Sequence, residues 1–500
     1  MRPNNGVMKD DVPLDLSDYG QGQVDVSSSY FNQNLAPVPK ASKDWNWFNF
    51  TTVWAGMVHN VVQFEIAGLL TFEFGPVIAL LITGLAYGTE LFAMYLNGHM
   101  GAKWGLPFPT SVRPSYGILG SYLPVLLRAF SALFFFSIQT YVGATLINSV
   151  LSLIFPAWSS LKLNLVGMPL NMLISFSVFW MINVFALFKG MKEVKYFELV
   201  LGPAILLSFI LLFAYGTYLA HGLGPLFALS VKPEIAATPY NIGLAAASLA
   251  GAYSTLVLNV MDFTRFARTQ KDQIIGQALG FPVIFVAFSF LAVGTISTVI
   301  YVFHIPFSQA INYVNPVNIM YLFSGNKLFS LLIGITLVAA TVGVNVAANL
   351  VSPVYDVLSL LPRMSWKGAS VTAATVGIFF APWLWYNSAS NIFGALNLLG
   401  TALGSVAGVM MVDYWVIRRR IINIEGLFKP RGQYWYRKGV NYRAIAATMT
   451  GSVVPVLGYA LNLSFLYDFG WYLSLGIGGL SYLIFELLGG FLAAKPNSES

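Results

Sequence analysis

The sequence contains no cysteine and few charged residues. The lack of cysteine excludes disulfide bonds, thiolate catalysis and cysteine ligands for metals. Only 9% of the 500 residues are charged, whereas a soluble domain carries about 25%. The net charge of +7 could suit a polyanion, but no basic and aromatic module accompanies it, so we expect no nucleic-acid partner.

Long apolar runs accompany the low content of charged residues. Hydrophobic residues make up 57% of the chain, and runs of about 20 such residues are typical of helices that span a lipid bilayer. The sequence predicts an all-α integral membrane protein of twelve transmembrane helices, with spans near residues 51–72, 76–97, 122–153, 168–188, 196–219, 240–262, 279–303, 328–350, 368–386, 390–416, 442–463 and 471–493.

Basic residues orient the spans. If the N-terminus is cytoplasmic, all but three of the 27 Lys and Arg residues lie on the inner side, the exceptions being Lys162, Lys232 and Lys327. Because cytoplasmic loops carry the excess of positive charge, both termini are expected in the cytoplasm of a multi-pass protein of the plasma (inner) membrane. Residues 1–47 are predicted to form a loosely ordered cytoplasmic tail, and residues 494–500 a second one.

Polar residues within the first span indicate a binding site. His59, Asn60, Gln63 and Glu65 follow Gly56 where most membrane helices carry Leu and Val. Such residues are costly in hydrocarbon unless they face protein or water. Span 6 carries "GAYSTLVLN" at the corresponding place in a second five-helix half, which predicts that both helices are interrupted around a midplane site.

Two further spans add polar groups at the same depth. Phe135 and Gln139 lie four residues apart in span 3, as do Asn345 and Asn349 in span 8. Amides and hydroxyls can also serve only to join helices, an alternative that the sequence leaves open. Aromatic faces and amides suit a flat neutral heterocycle, and the absence of Arg and Lys at this depth disfavours a carboxylate or phosphate.

Seven segments, in the same order from about residue 45 to 450, resemble nucleobase–cation symporter family 1, the allantoin, hydantoin, uracil and cytosine permeases, and the bacterial allantoin permeases most of all. The segments are "NWFNFTTVWAGMVHN", "GLPFPTSVRPSYGILGSYLPVLLRA", "SIQTYVGA", "LNVMDFTRFARTQKDQIIGQALG", "NVAANLVSPVYD", "LLGTALGSVAGVMMVDYWVIRRR" and "GVNYRAIAATM".

The resemblance implies a LeuT-like fold and secondary transport by alternating access. Residues 48–219 would form the first five-helix repeat, residues 240–416 the inverted second repeat, and residues 442–493 two further helices. The substrate would be a small heterocycle, bound without a cofactor by a protein that is not an enzyme and is expected to be a monomer. An intramembrane enzyme would need a nucleophile and base or a metal cluster, and four His with no Cys supply neither.

The family's ligand positions transfer onto this sequence by motif. Its two ring-stacking tryptophans fall on Phe135 and Tyr253, so both are replaced although aromatic character remains. The resemblance also assigns polar positions, and Asn345 shares a face of span 8 with Asn349. The expected substrate-binding residues are therefore Asn60, Phe135, Gln139, Ala252, Tyr253, Asn345 and Asn349.

The sodium site of sodium-coupled members transfers less well. Its span 1 carbonyls fall on Gly56 and His59, and its span 8 oxygens fall on Ala340, Gly343 and Val344, where two expected hydroxyls are missing. Hard cations require several oxygen ligands. The sequence therefore predicts proton coupling, or at least no sodium requirement.

Three ionisable residues at membrane depth could carry the proton: His59, Glu65 and Glu90. His59 could instead be a neutral spacer at a helix break, and Glu65 a hydrated, outward-facing carboxyl.

Two other functions of the protein also stay open. One is a sodium-coupled transporter of the same fold for a vitamin or an amino acid, and the other is a sensor that binds without transporting.

Overall fold

A computed structural model describes residues 14–24, 26–59, 61–188, 190–224, 234–322, 325–386 and 389–493. Regular structure in these ranges is almost entirely helical, which confirms the predicted class. The long helices are α1 (Trp47–Val58), α2 (Val61–Phe74), α3 (Pro76–Trp104), α4 (Tyr122–Ile154), α5 (Leu170–Leu187), α6 (Met191–Leu219), α7 (Pro239–Thr264), α8 (Gln270–Val302), α9 (Lys327–Leu360), α10 (Trp366–Ile378), α11 (Ala389–Met411), α12 (Tyr442–Ala460) and α13 (Gly470–Ala493).

Short elements connect these helices. Two antiparallel ribbons of two-residue strands pair Leu14–Asp15 with Gln23–Val24 and Asn164–Leu165 with Met168–Pro169. The short helices are Phe108–Ser111, Arg113–Tyr116, Phe307–Ala310, Pro316–Leu322 and Ser464–Asp468.

Nine helices of the described ranges are long and apolar enough to cross a membrane, or ten if the bent pair α1 and α2 forms one span. Helices α10 and α12, which coincide with predicted spans 9 and 11, do not meet this criterion. Helix α10 has only 13 residues and ends at Ile378, eight residues before the predicted span does.

The first span is broken, as its sequence predicts. Asn46 caps the start of α1 by accepting hydrogen bonds from the backbone N–H groups of Phe48 and Asn49. Helix α1 ends at Val58, His59 adopts φ −76° and ψ 78°, and α2 leaves the break at an angle of 69°. The break leaves backbone groups without partners inside either helix.

The predicted interruption of span 6 is wrong. Helix α7 runs without a break from Pro239 to Thr264. Gly251 lies in its middle and allows close approach of α11, because a Cβ atom on Gly400 would lie 2.6 Å from the carbonyl oxygen of Gly251. The glycine thus permits helix packing rather than unwinding.

The predicted loose N-terminal tail is also wrong for residues 14–46, except Asp25, which lies outside the described residues. Leu16, Val24 and Leu35 are buried. Side-chain amides of the tail donate hydrogen bonds to distant loops, from Gln21 to the carbonyl of Ile422 and from Asn32 to that of Pro362, each at 2.7 Å. Trp45 is buried, and its ring stacks on Phe266 with centroids 5.7 Å apart. The tail is therefore packed across one face of the helix bundle, which we call the tail face.

A buried ion pair joins α4 to α9. The Nη1 atom of Arg128 lies 3.0 Å from Oδ2 of Asp356, and both side chains are fully buried. Two buried charges are stable only as a pair, because each alone would lose its hydration without compensation.

Candidate functional site

A small cavity lies beside the break in the first span. Its volume is about 40 Å³. It brings together five of the predicted substrate-binding residues, which come from α4, α7 and α9: Phe135, Gln139, Ala252, Tyr253 and Asn349. Met57 and Val62 line it from the two sides of the break. Among the described residues that line this cavity, none is charged.

Helix α9 widens where it reaches the cavity. Residues Asn345–Leu350 form a π-helical turn, a local distortion that occurs mostly at functional sites. Asn349 faces the cavity, and its Nδ2 donates a hydrogen bond to Oδ1 of Asn345 at 3.2 Å. Asn345 donates in turn to the hydroxyl of Thr140 on α4 at 3.1 Å. Asn345 thus lies behind the cavity wall and orients Asn349.

The hydroxyl of Tyr253 ties α7 to α2, the second half of the first span. It donates a hydrogen bond to Oε1 of Gln63 at 3.1 Å, and the same oxygen accepts from the hydroxyl of Tyr87 at 2.8 Å. The Nε2 atom of Gln63 donates to the hydroxyl of Ser289 at 3.2 Å. Gln63, which the sequence places among the polar residues of span 1, therefore positions the tyrosine ring.

Phe135 and Gln139 reach the cavity from successive turns of α4. The neighbouring ring of Phe134 stacks on Trp385 with an interplanar angle of 8° and meets Phe135 edge to face. Phe135 is only partly buried and Gln139 is buried. An aromatic face and an amide thus border the same space, as the four-residue spacing predicts.

The three predicted proton carriers, His59, Glu65 and Glu90, are not among the residues that line this cavity. Asn60 lies outside the described residues. His59 is fully buried at the break, with its ring 4.9 Å from that of Phe288. Glu65 is partly buried and interacts with the hydroxyl of Tyr386. Glu90 is buried on α3, and its carboxyl oxygens have no hydrogen-bond partner among the described residues.

Two of the predicted sodium positions carry no side-chain oxygen. Gly343 has no side chain, and Val344 is a buried apolar residue. The carboxyl of Glu198 on α6 lies against Gly56, and a Cβ atom on Gly343 would contact both Leu201 and Glu198 of this helix. Glu198 lies near the start of predicted span 5, residues 196–219, and is not among the predicted site residues. The absence of two hydroxyls was the one signal in the sequence that could have prompted a search for another polar group here.

Comparisons with known proteins agree with this architecture. A family described as permeases for cytosine/purines, uracil, thiamine and allantoin matches residues 37–478. The allantoin permease of Bacillus subtilis (strain 168) is 38% identical over 468 residues, which cover 92% of this chain and 93% of the permease. The purine-uracil permease NCS1 of Arabidopsis thaliana is 30% identical, over 94% of this chain and 80% of its own.

A solved structure shares the fold. Mhp1, a nucleobase-cation-symport-1 family transporter in a closed conformation with bromovinylhydantoin bound, matches with a TM-score of 0.75 at 23% identity, over 93% of this chain and 97% of its own. With the apolar helices and the family match together, the chain is a multi-pass membrane transporter rather than an enzyme, and it belongs to the family of permeases for cytosine and purines, uracil, thiamine and allantoin.

Proposed function

We propose that the protein is a secondary active transporter that imports a small neutral nitrogen heterocycle, such as allantoin, a hydantoin or a nucleobase like uracil, by alternating access. The observation that carries the proposal is the uncharged cavity at the break of the first span. The names of the relatives, an allantoin permease and a purine-uracil permease, support the same class of substrate.

The chemistry of the lining suits such a ring. Phe135 and Tyr253 offer aromatic faces, on which a flat heterocycle can stack. The amides of Gln139 and Asn349 can donate and accept hydrogen bonds along an edge of alternating N–H and C=O groups. An anionic substrate would leave its charge without a partner among these lining residues, which is costly in a buried site.

The proposed topology completes the transporter. Helices α10 and α12 would also cross the membrane, giving twelve spans with the first ten in two inverted repeats. The tail face would lie in the cytoplasm, with both termini, and the protein would reside in the plasma (inner) membrane. The excess of Lys and Arg on this side supports that orientation.

The proposed coupling ion is the proton. The misfit of the sodium positions supports this choice, and the buried or partly buried His59, Glu65 and Glu90 are the candidate carriers. A sodium-coupled transporter with another substrate is the main alternative, and a sensor that binds without transporting is the second.

Uptake into proteoliposomes tests the proposal. Radiolabelled allantoin, hydantoin, uracil and cytosine are each supplied with an inward proton gradient, and at least one should accumulate against its own gradient. An uncoupler should abolish the accumulation, and replacing sodium by choline should not. Failure to transport any of the four would overturn the proposal, and binding without uptake would identify a sensor.

A further inference from the structure

Glu198 is a buried carboxyl group for which the proposed transport mechanism has no role. It is 0% exposed, and neither of its carboxyl oxygens has a hydrogen-bond partner among the described residues. A buried polar group without a partner is unfavourable, so such a group in a native structure calls for an explanation.

Close packing of α6 against α1 places this carboxyl. One turn after Glu198, a Cβ atom on Gly202 would lie 2.8 Å from the carbonyl oxygen of Thr52 and 3.1 Å from the backbone nitrogen of Gly56. The two helix backbones are therefore nearly in contact at this point. Glu198, on the preceding turn of α6, lies beside the end of α1 at the break in the first span.

The carboxyl fills the space between two glycines of different helices. A Cβ atom on Gly56 would lie 1.6 Å from Oε2 of Glu198, so any side chain at position 56 would displace the carboxyl. A Cβ atom on Gly343 of α9 would lie 3.5 Å from Oε1, which is ordinary contact. The Glu198 side chain thus spans from the broken end of α1 to α9.

Gly56 and Gly343 are two of the positions that match the sodium ligands of sodium-coupled family members. We propose that the carboxyl of Glu198 occupies the place of the cation and thereby excludes sodium, which makes Glu198 the residue that determines the ion specificity of this transporter. The lack of a side chain at Gly56 is then the complement of Glu198, since it leaves room for the carboxyl.

The charged residues around Glu198 are consistent with a carboxyl that occupies the position of a cation. Lys195, one turn earlier on α6, is paired with Asp44 of the tail at 2.8 Å and not with Glu198. On the helices packed against α6, the described ionisable residues are His59 at the end of α1, Lys271, Asp272 and Tyr301 on α8, and Lys327, Tyr355 and Asp356 on α9, whereas α5 carries none. No salt bridge joins Glu198 to any of the described residues.

The donor set explains why the carboxyl excludes sodium rather than ligating it. Hard cations bind six or more oxygens in a typical protein site. Among the described side chains at the five sodium positions, none supplies an oxygen. These five positions therefore offer only backbone carbonyls, and the Glu198 carboxyl is already in contact with both glycines.

Direct sodium binding tests this inference, which rests on the proposed function only for its role in transport. Binding of radiolabelled sodium to the purified full-length protein is measured without substrate. The wild type and Glu198→Gln, which keeps the shape of the side chain, should bind no sodium above a choline-competed background. The triple variant Glu198→Ala, Gly343→Ser, Val344→Thr empties the space and restores both hydroxyls, and it should gain saturable sodium binding.

Matched variants make each outcome decisive. Gly343→Ser with Val344→Thr, in which Glu198 is retained, should stay unable to bind sodium. If the wild type binds sodium and Glu198→Gln abolishes that binding, the inference is overturned, because Glu198 would then be a ligand. A folded triple variant that binds no sodium would overturn it as well. If the triple variant does not fold, sodium binding by the wild type would still overturn the inference. If none of the heterocycles is transported in the uptake assay, the sodium-binding measurements remain valid.

Discussion

The side chain of Asn349 donates a hydrogen bond to that of Asn345, with Nδ2 3.2 Å from Oδ1, within the π-helical turn of α9. Asn345 is itself held by Thr140 on α4. Of the two amides only that of Asn349 borders the cavity. The orientation of a lining residue is therefore fixed by a residue that does not itself line the cavity.

Replacing Asn345 by Ala should weaken substrate binding although Asn345 does not line the cavity. A typical hydrogen bond contributes about 0.5–1.5 kcal/mol, so we expect affinity to fall roughly two- to tenfold. Thr341→Val is the matched control, because the Thr341 hydroxyl bonds only to the carbonyl of Leu337 in its own helix. Ligand titration in a thermal-shift assay measures both variants. Equal effects of the two changes would contradict the positioning role.

Tyr253→Phe should retain transport, whereas Tyr253→Ala should not. The Phe variant keeps the ring and loses the hydrogen bond to Gln63, whose Oε1 still accepts from Tyr87. We expect its KM to rise by less than about tenfold, the equivalent of one hydrogen bond. The Ala variant loses the aromatic face proposed to stack on the substrate. If both variants were equally impaired, the hydroxyl rather than the ring would be the essential group.

Asp356→Ala should strongly destabilise the protein. The change leaves Arg128 buried without its partner, which typically costs about 3–5 kcal/mol. Glu425→Ala is the control, since the Glu425 and Lys429 pair is exposed and such pairs contribute about 0–1 kcal/mol. Denaturant titration in detergent measures the free energy of unfolding of both variants. A loss in Asp356→Ala no larger than that in the control would show that Arg128 finds compensation elsewhere.

Trp45→Ala should release the tail, whereas Trp47→Ala should not. The Trp45 side chain is 3% exposed and that of Trp47 is 45% exposed. Truncating a buried Trp costs about 3–5 kcal/mol. Limited proteolysis of residues 14–46 should therefore become faster in the Trp45 variant only. Unchanged cleavage of the Trp45→Ala variant would mean that the hydrogen bonds from Gln21 and Asn32 hold the tail in place without the Trp45 side chain.

Much of the bundle could be predicted because a bilayer imposes long apolar helices. The break of the first span followed from Gly56 and His59, where polar and flexible residues interrupt an apolar run. The same reasoning failed at Gly251, since a glycine that permits a close helix contact cannot be distinguished in sequence from one that ends a helix. Which of the two applies depends on the facing residue, Gly400.

The packed tail and the role of Glu198 could not be predicted for a related reason. The buried apolar residues of the tail, Leu16, Val24 and Leu35, are widely separated and follow neither a helical nor a strand period. Glu198 belongs to a charged segment that topology alone explains. Its burial depends on contacts with Gly56 and Gly343, which are distant in sequence.

The position of the tail sets an order for folding. Gln21 bonds to a carbonyl 401 residues later, Ser28 to one 400 residues later and Asn32 to one 330 residues later. The ribosome adds about 5–20 residues per second, so roughly 20–80 s separate synthesis of Gln21 from that of its partner. During this time the tail, which is made before the helices, has no completed surface on which to dock. Residues 14–46 are thus among the last described residues to reach their native contacts.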